Sequence, residues 1–177
     1  MLNLTTVPLR PRVLLVDDEL AKLDTALGRA AESLAEALEA RNVDVVRALS
    51  FEDGQAIVGS DASLRALLLD WNLGLNSEGT HAQATALLHK LRERNSGAPV
   101  FLLADREQTR GTMTIEVAEM VNEFVWLLED SADFIAGRVM AAIRRYEAQL
   151  LPPYARALAE YGRLRGTVTL IGNLQAK

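Results

Sequence analysis

Three aspartates follow or end apolar stretches of the chain, and together they could support chemistry. Asp17 and Asp18 come directly after the apolar run from residue 12 to residue 16, and Asp70 ends a second run that begins at residue 65. Clustered carboxylates repel one another, and a hard cation such as Mg²⁺ relieves that repulsion while leaving room for water and a phosphate group. The alternative is that these acids simply end strands at solvent, where Asp17 or Asp18 also favours the N-terminus of a following helix.

The elements that must position these acids are strands and helices in alternation. The predicted strands are residues 12–16, 43–49, 65–71, 100–104 and 124–128, and the predicted helices are residues 20–41, 50–59, 81–95, a part of 107–120, and about 131–151. Strands that are apolar on both faces are typical of a parallel sheet covered by helices on both sides. We therefore predict an α/β fold, a three-layer, doubly wound, five-stranded parallel sheet in the flavodoxin-like order 2-1-3-4-5, with a C-terminal helical extension. In that order the first and third strands are neighbours, so the three aspartates should meet at one edge.

Two segments, VLLVDDE and LLLDWNLG, are similar to those of response-regulator receiver domains. The resemblance implies that Asp17 and Asp18 bind Mg²⁺ and that Asp70 accepts a phosphoryl group. Two positions depart from that family. Ala104 stands where a receiver has a hydroxyl, and the end of the fifth strand offers leucines followed by two acids where a receiver has a lysine. Phosphoryl transfer needs positioned positive charge, so the pocket is expected to lack a counter-charge for a transferred phosphate, which favours a pseudo-receiver over an active receiver.

The second half of the chain carries a different resemblance. The stretches PVFLLADRE, EFVWLLEDSADFIAGR and RRYEAQLLPPYARALAEY follow one another between residues 99 and 161. Their order resembles the N-terminal wing domain of the bacterial ornithine/lysine/arginine decarboxylases, and most of all the acid-inducible arginine decarboxylases. The resemblance implies a wing domain over residues 1–151, then a linker helix and tail over residues 152–177 that lead towards a domain binding pyridoxal phosphate (PLP).

What this family resemblance implies for function is an assembly or regulatory domain without chemistry of its own. The PLP cofactor would belong to the rest of the full-length enzyme, a decarboxylase of arginine, lysine or ornithine. No cofactor is expected in this chain, because its only lysines are Lys22, Lys90 and Lys177, and the His89-Lys90 pair lies in a predicted helix without the PLP signature. The expected partners are a second copy of the chain or the remainder of the decarboxylase.

Four apolar or aromatic side chains are candidates for that contact. Trp71 lies where a strand leaves the sheet, and Tyr154, Leu158 and Tyr161 form a stripe after the proline pair at residues 152 and 153. A second hypothesis concerns pH. Two acidic surfaces associate better once their carboxylates are protonated, and the three clustered aspartates, or Glu129 with Asp130, are the candidate groups.

Composition excludes several other classes of protein. The 177 residues carry a net charge of −5, and no dense basic face is available to neutralise nucleic-acid phosphates. No apolar run approaches the roughly 18 residues that a membrane span needs, and the N-terminus lacks a signal-peptide pattern. The chain has no cysteine, so disulfides and thiolate metal sites are excluded. These features lead us to expect a cytoplasmic protein with neither a nucleic-acid nor a membrane partner.

Overall fold

A computed structural model describes residues 10–73, 80–104 and 114–151 of the chain. The strands are β1 (Arg12–Val16), β2 (Asp44–Ala48), β3 (Leu64–Asp70), β4 (Val100–Ala104) and β5 (Glu123–Trp126). The helices are α1 (Ala26–Glu39), α2 (Phe51–Ser60), α3 (Thr80–Arg94), α4 (Ile115–Met120) and α5 (Ala132–Leu150). Within these residues no helix combines the length and the apolarity that crossing a membrane would require.

The five strands form one parallel sheet in the order β2-β1-β3-β4-β5, which confirms the predicted topology. One apolar core lies between the sheet and helices α1 and α5, and a second lies between the opposite face and helices α2, α3 and α4. Successive side chains of a strand point to opposite faces, so Leu14 and Leu15 enter different cores and both are fully buried. The continuous apolar runs in the sequence follow from this double burial.

The segment after β1 differs from the single helix predicted over residues 20–41. A short 3-10 turn covers Asp18–Ala21, and α1 begins only after Thr25, whose side-chain oxygen accepts a hydrogen bond from the backbone N–H of Gly28. Leu23 is exposed between these two elements, although its spacing suggested the buried face of a helix. Helix α1 ends at Glu39, two residues before the predicted end at residue 41, and the chain turns away at Asn42, whose φ of 65° is the left-handed conformation common after helices.

Helices α2 and α5 each begin directly after a serine that caps the first turn. The hydroxyl oxygens of Ser50 and Ser131 accept hydrogen bonds from the backbone N–H groups of Asp53 and Phe134, three residues further on. The far end of α5 lies near the beginning of β3, where Glu147 pairs with Arg65.

Candidate acidic site at the carboxyl edge of the sheet

The three aspartates converge at the carboxyl ends of β1 and β3. Asp17 directly follows β1, Asp18 opens the 3-10 turn, and Asp70 is the last residue of β3. Val16 and Leu69 are partners in the ladder between these strands, which brings the acids together. One carboxylate oxygen from each aspartate lies within 4.8 Å of the other two. The expected convergence is confirmed, and it falls where the direction of strand succession reverses, the usual place for a site in this topology.

Backbone N–H groups orient two of the three carboxylates. The side chain of Asp17 accepts a hydrogen bond of 2.8 Å from the N–H of Glu19 and so caps the 3-10 turn. The side chain of Asp70 accepts a hydrogen bond of 2.9 Å from the N–H of Asn72. Asp17 is also held through its own N–H, which donates to the carbonyl oxygen of Ala48 at the end of β2. The cluster is therefore fixed by the backbone of three neighbouring strands.

Burial makes this cluster electrostatically strained. Asp17 is only 2 % exposed. Burial raises its pKa from 3.8 to about 7, and the charges of Asp18 and Glu19 act in the same direction against the hydrogen bond from Glu19. Burial, followed by the charge of Asp17, likewise raises the pKa of Asp70 to about 7. With their pKa values raised to about 7, Asp17 and Asp70 are each partly protonated near neutral pH, and the cluster carries less than its full negative charge.

A basic side chain reaches the cluster, contrary to the expectation that the pocket would lack any counter-charge. The ammonium nitrogen of Lys22 lies 2.8 Å from a carboxylate oxygen of Asp18 and 2.9 Å from one of Glu19. These two hydrogen bonds raise the pKa of Lys22, and the bonds from Lys22 and Thr25 lower the pKa of Glu19. Glu19, Lys22 and Thr25 were missed in the sequence, although the spacing of Lys22 from Asp18 is that of a helical ion pair.

Two positions would distinguish an active receiver, namely the residue that ends β4 and the residues that follow β5. Ala104 ends β4 next to Trp126 of β5, and its methyl side chain has no group that could donate a hydrogen bond. The strand β5 ends at Trp126, two residues earlier than predicted. Leu127 then enters the core below α5, whereas Leu128 is 57 % exposed. Neither leucine can supply the positive charge that a phosphoryl group would need at this edge.

Trp71, one of the four candidate contact residues, is buried in the domain rather than presented to a partner. Trp71 is 1 % exposed and packs in the core under α3, where its ring stacks on that of His81 with centroids 4.8 Å apart. Its backbone N–H donates to the carbonyl oxygen of Leu103, so the ladder between β3 and β4 continues past Asp70 and holds the indole inside. The other predicted contact residues, Tyr154, Leu158 and Tyr161, lie outside the described residues, as does the whole predicted extension over residues 152–177.

The fold and this acidic edge define the class of receiver-like domains. A solved response-regulator receiver domain protein from Methanospirillum hungatei matches 79 % of this chain and 98 % of its own with a TM-score of 0.56, at 19 % identity. A similarity at that level of identity shows the fold alone.

Comparisons of sequence are more specific. The family model for the N-terminal domain of Orn/Lys/Arg decarboxylases matches residues 26–146. The chain is 45 % identical over 150 residues to the biodegradative arginine decarboxylase of Escherichia coli (strain K12), a match that covers 85 % of this chain and 20 % of the relative. The solved lysine decarboxylase A from Pseudomonas aeruginosa matches with a TM-score of 0.72 at 26 % identity, over 86 % of this chain and 21 % of that one.

The chain therefore belongs to the Orn/Lys/Arg decarboxylase N-terminal domain family. It spans about a fifth of the length of the curated relatives that it matches. The resemblance seen in the sequence is confirmed at the level of the family.

Proposed function

We propose that the chain is a non-catalytic assembly and regulatory domain of a PLP-dependent decarboxylase of basic amino acids, and that it mediates oligomer formation. The observation that carries this proposal is the 45 % identity to a biodegradative arginine decarboxylase over most of the chain. That match involves only a fifth of the relative, so the decarboxylation and its PLP cofactor are assigned to the remaining four fifths. Arginine is the favoured substrate of such a parent enzyme, and the cytoplasm its expected compartment.

The surroundings of the described lysines support a domain without PLP of its own. Lys22 is engaged by two carboxylates, and a lysine that forms a Schiff base must instead be free to react as a neutral amine. Lys90 lies on α3 beside His89, whose ring nitrogen contacts the carboxylate of Glu116 at 2.7 Å. Both lysines thus lie on charged surfaces of a turn or a helix.

Acid-dependent association is the regulatory part of the proposal. Asp17 is too buried to touch a partner, so its protonation would stabilise the fold rather than form a contact. Glu129 and Asp130 are better placed to meet a partner, because they follow the exposed Leu128 at the carboxyl edge. Two acidic surfaces brought together there repel each other until protons or cations reduce their charge.

Sedimentation velocity at neutral and at mildly acidic pH tests this proposal. We expect the mass of the chain to increase on acidification. We expect the double variant Glu129→Gln/Asp130→Asn to associate already at neutral pH. The matched control Glu52→Gln/Asp53→Asn removes two acids from the start of α2 and should behave like the unsubstituted chain. A mass that stays constant across this range, in all three proteins, would contradict assembly through these acids.

A receiver domain is the second candidate function, and the convergence of Asp17, Asp18 and Asp70 favours it. Incubation with a small phosphodonor and Mg²⁺ would separate the two candidates. We expect no phosphoryl adduct on Asp70, because Ala104 offers the transferred group no hydroxyl and the ammonium ion of Lys22 is already engaged by Asp18 and Glu19. An acid-labile increase in mass that is lost in Asp70→Asn would support the receiver instead.

A further inference from the structure

The receiver-like fold implies a Mg²⁺ ion at its acidic edge, and the three aspartates here match such a site in ligand type and spacing. The surrounding charge does not match it. An ammonium group already lies 2.8 Å from a carboxylate oxygen of Asp18, the cluster member that directly follows Asp17. A divalent cation that bound these carboxylates would lie within a few ångströms of this positive charge. The three carboxylates are therefore suitable ligands for a cation, but the ammonium group of Lys22 already supplies a positive charge beside them.

Lys22 lies close in the sequence to the two carboxylates that its ammonium group contacts. Lys22 comes four residues after Asp18 and three after Glu19, and the intervening residues form the 3-10 turn that Asp17 caps. Both ion pairs therefore form within one turn of the backbone, and they do not depend on a segment that is distant in the sequence. Hydrogen bonds to two different carboxylates also restrict the ammonium group more than a single surface pair would.

The backbone of Lys22 is fixed as well. Its carbonyl oxygen accepts a hydrogen bond of 3.0 Å from the backbone N–H of Thr25 and lies 2.9 Å from the hydroxyl oxygen of Thr25. Gly28 packs against the same carbonyl so tightly that a Cβ atom at that position would come closer than 3.0 Å to the oxygen. The same hydroxyl of Thr25 also contacts Glu19. The turn and the start of α1 together direct the lysine side chain back towards the acids.

We propose that Lys22 is a built-in counter-ion that takes the place of a divalent cation and closes the acidic cluster to metal binding. The lysine satisfies Asp18 and Glu19 directly, and its charge opposes the approach of a cation to Asp17 and Asp70. This inference goes beyond the assembly role proposed above and does not depend on it, because it concerns the chain by itself.

The test is a titration of the chain with Mg²⁺, and then with paramagnetic Mn²⁺, followed by two-dimensional NMR. The backbone N–H groups of Glu19 and Asn72 donate to the carboxylates of Asp17 and Asp70, so their signals report directly on a metal at the cluster. We expect these signals to resist Mn²⁺ broadening in the unsubstituted chain. In Lys22→Gln we expect saturable broadening and an affinity roughly tenfold higher or more, since a full positive charge a few ångströms from the ion is removed.

Two further variants make the result specific. Lys22→Arg keeps the positive charge, so the signals of Glu19 and Asn72 should still resist Mn²⁺ broadening in this variant. Lys90→Gln removes a surface lysine on α3 and should leave the cluster unchanged. Equal metal affinity in the unsubstituted chain and in Lys22→Gln would overturn the proposal, and so would a Lys22→Gln variant that folds but still takes up no metal. Neither result would bear on self-association, which is measured separately by sedimentation.

Discussion

Replacing Asp17 by Asn should stabilise the folded chain at alkaline pH and change little at acidic pH. The amide oxygen of Asn can still accept the hydrogen bond from the N–H of Glu19, so the cap of the 3-10 turn is retained. What the substitution removes is a buried negative charge beside two other aspartates. The variant therefore isolates the cost of that charge from the loss of a hydrogen bond.

The expected size follows from the pKa of Asp17, which rises from 3.8 to about 7 on folding. Between these two values the folded state binds more protons than the unfolded state, so stability falls as the pH rises and the full penalty is present above about pH 7. A shift of this size corresponds to about 4 kcal/mol for an isolated group. Asp70 shares the same repulsion and titrates together with Asp17, so we expect a gain on the order of 2 kcal/mol from Asp17→Asn alone.

Urea denaturation at about pH 5 and at about pH 8 provides the measurement, because the free energy of unfolding is obtained at each pH from the same linear extrapolation. The unsubstituted chain should lose stability between the two conditions, and Asp17→Asn should lose clearly less. If the variant is instead less stable than the unsubstituted chain at the higher pH, the carboxylate of Asp17 interacts favourably with its surroundings, and the reasoning from burial and repulsion is refuted.

Two other substitutions test how the site is positioned. Gly28→Ala should destabilise the chain by about 1–3 kcal/mol in thermal melts, because the added methyl group meets the carbonyl oxygens of Glu19 and Lys22. The control Gly137→Ala lies at a helical position with open space around it and should be neutral or slightly stabilising in the same melts. Trp71→Ala should cost about 3–5 kcal/mol by urea denaturation, as expected for a core residue; a loss below about 1 kcal/mol would show that the indole is not packed as described.

Sequence patterns were most reliable where local structure and burial agree. The strand β4 was predicted with its observed bounds, since five apolar residues in a row suit a strand that is covered on both faces. The starts of the helices at Ser50 and Ser131 also agree with the predicted ranges, because a cap depends on a side chain and a backbone N–H only three residues apart. The prediction of a helix from residue 20 was wrong because a local signal was overlooked. Apolar spacing continued across a 3-10 turn, and the cap at Thr25 that begins α1 was overlooked.

The sequence by itself determined the order of the sheet and the meeting of Asp17, Asp18 and Asp70 at one edge. Both follow from the alternation of apolar strands with helices and from the acids that close the first and third strands. Only the tertiary structure decided that Trp71 is buried and that burial raises the pKa values of Asp17 and Asp70 to about 7. Burial and pKa depend on groups that are distant in the chain but adjacent in space, and a local pattern of residue types carries no information about their distances.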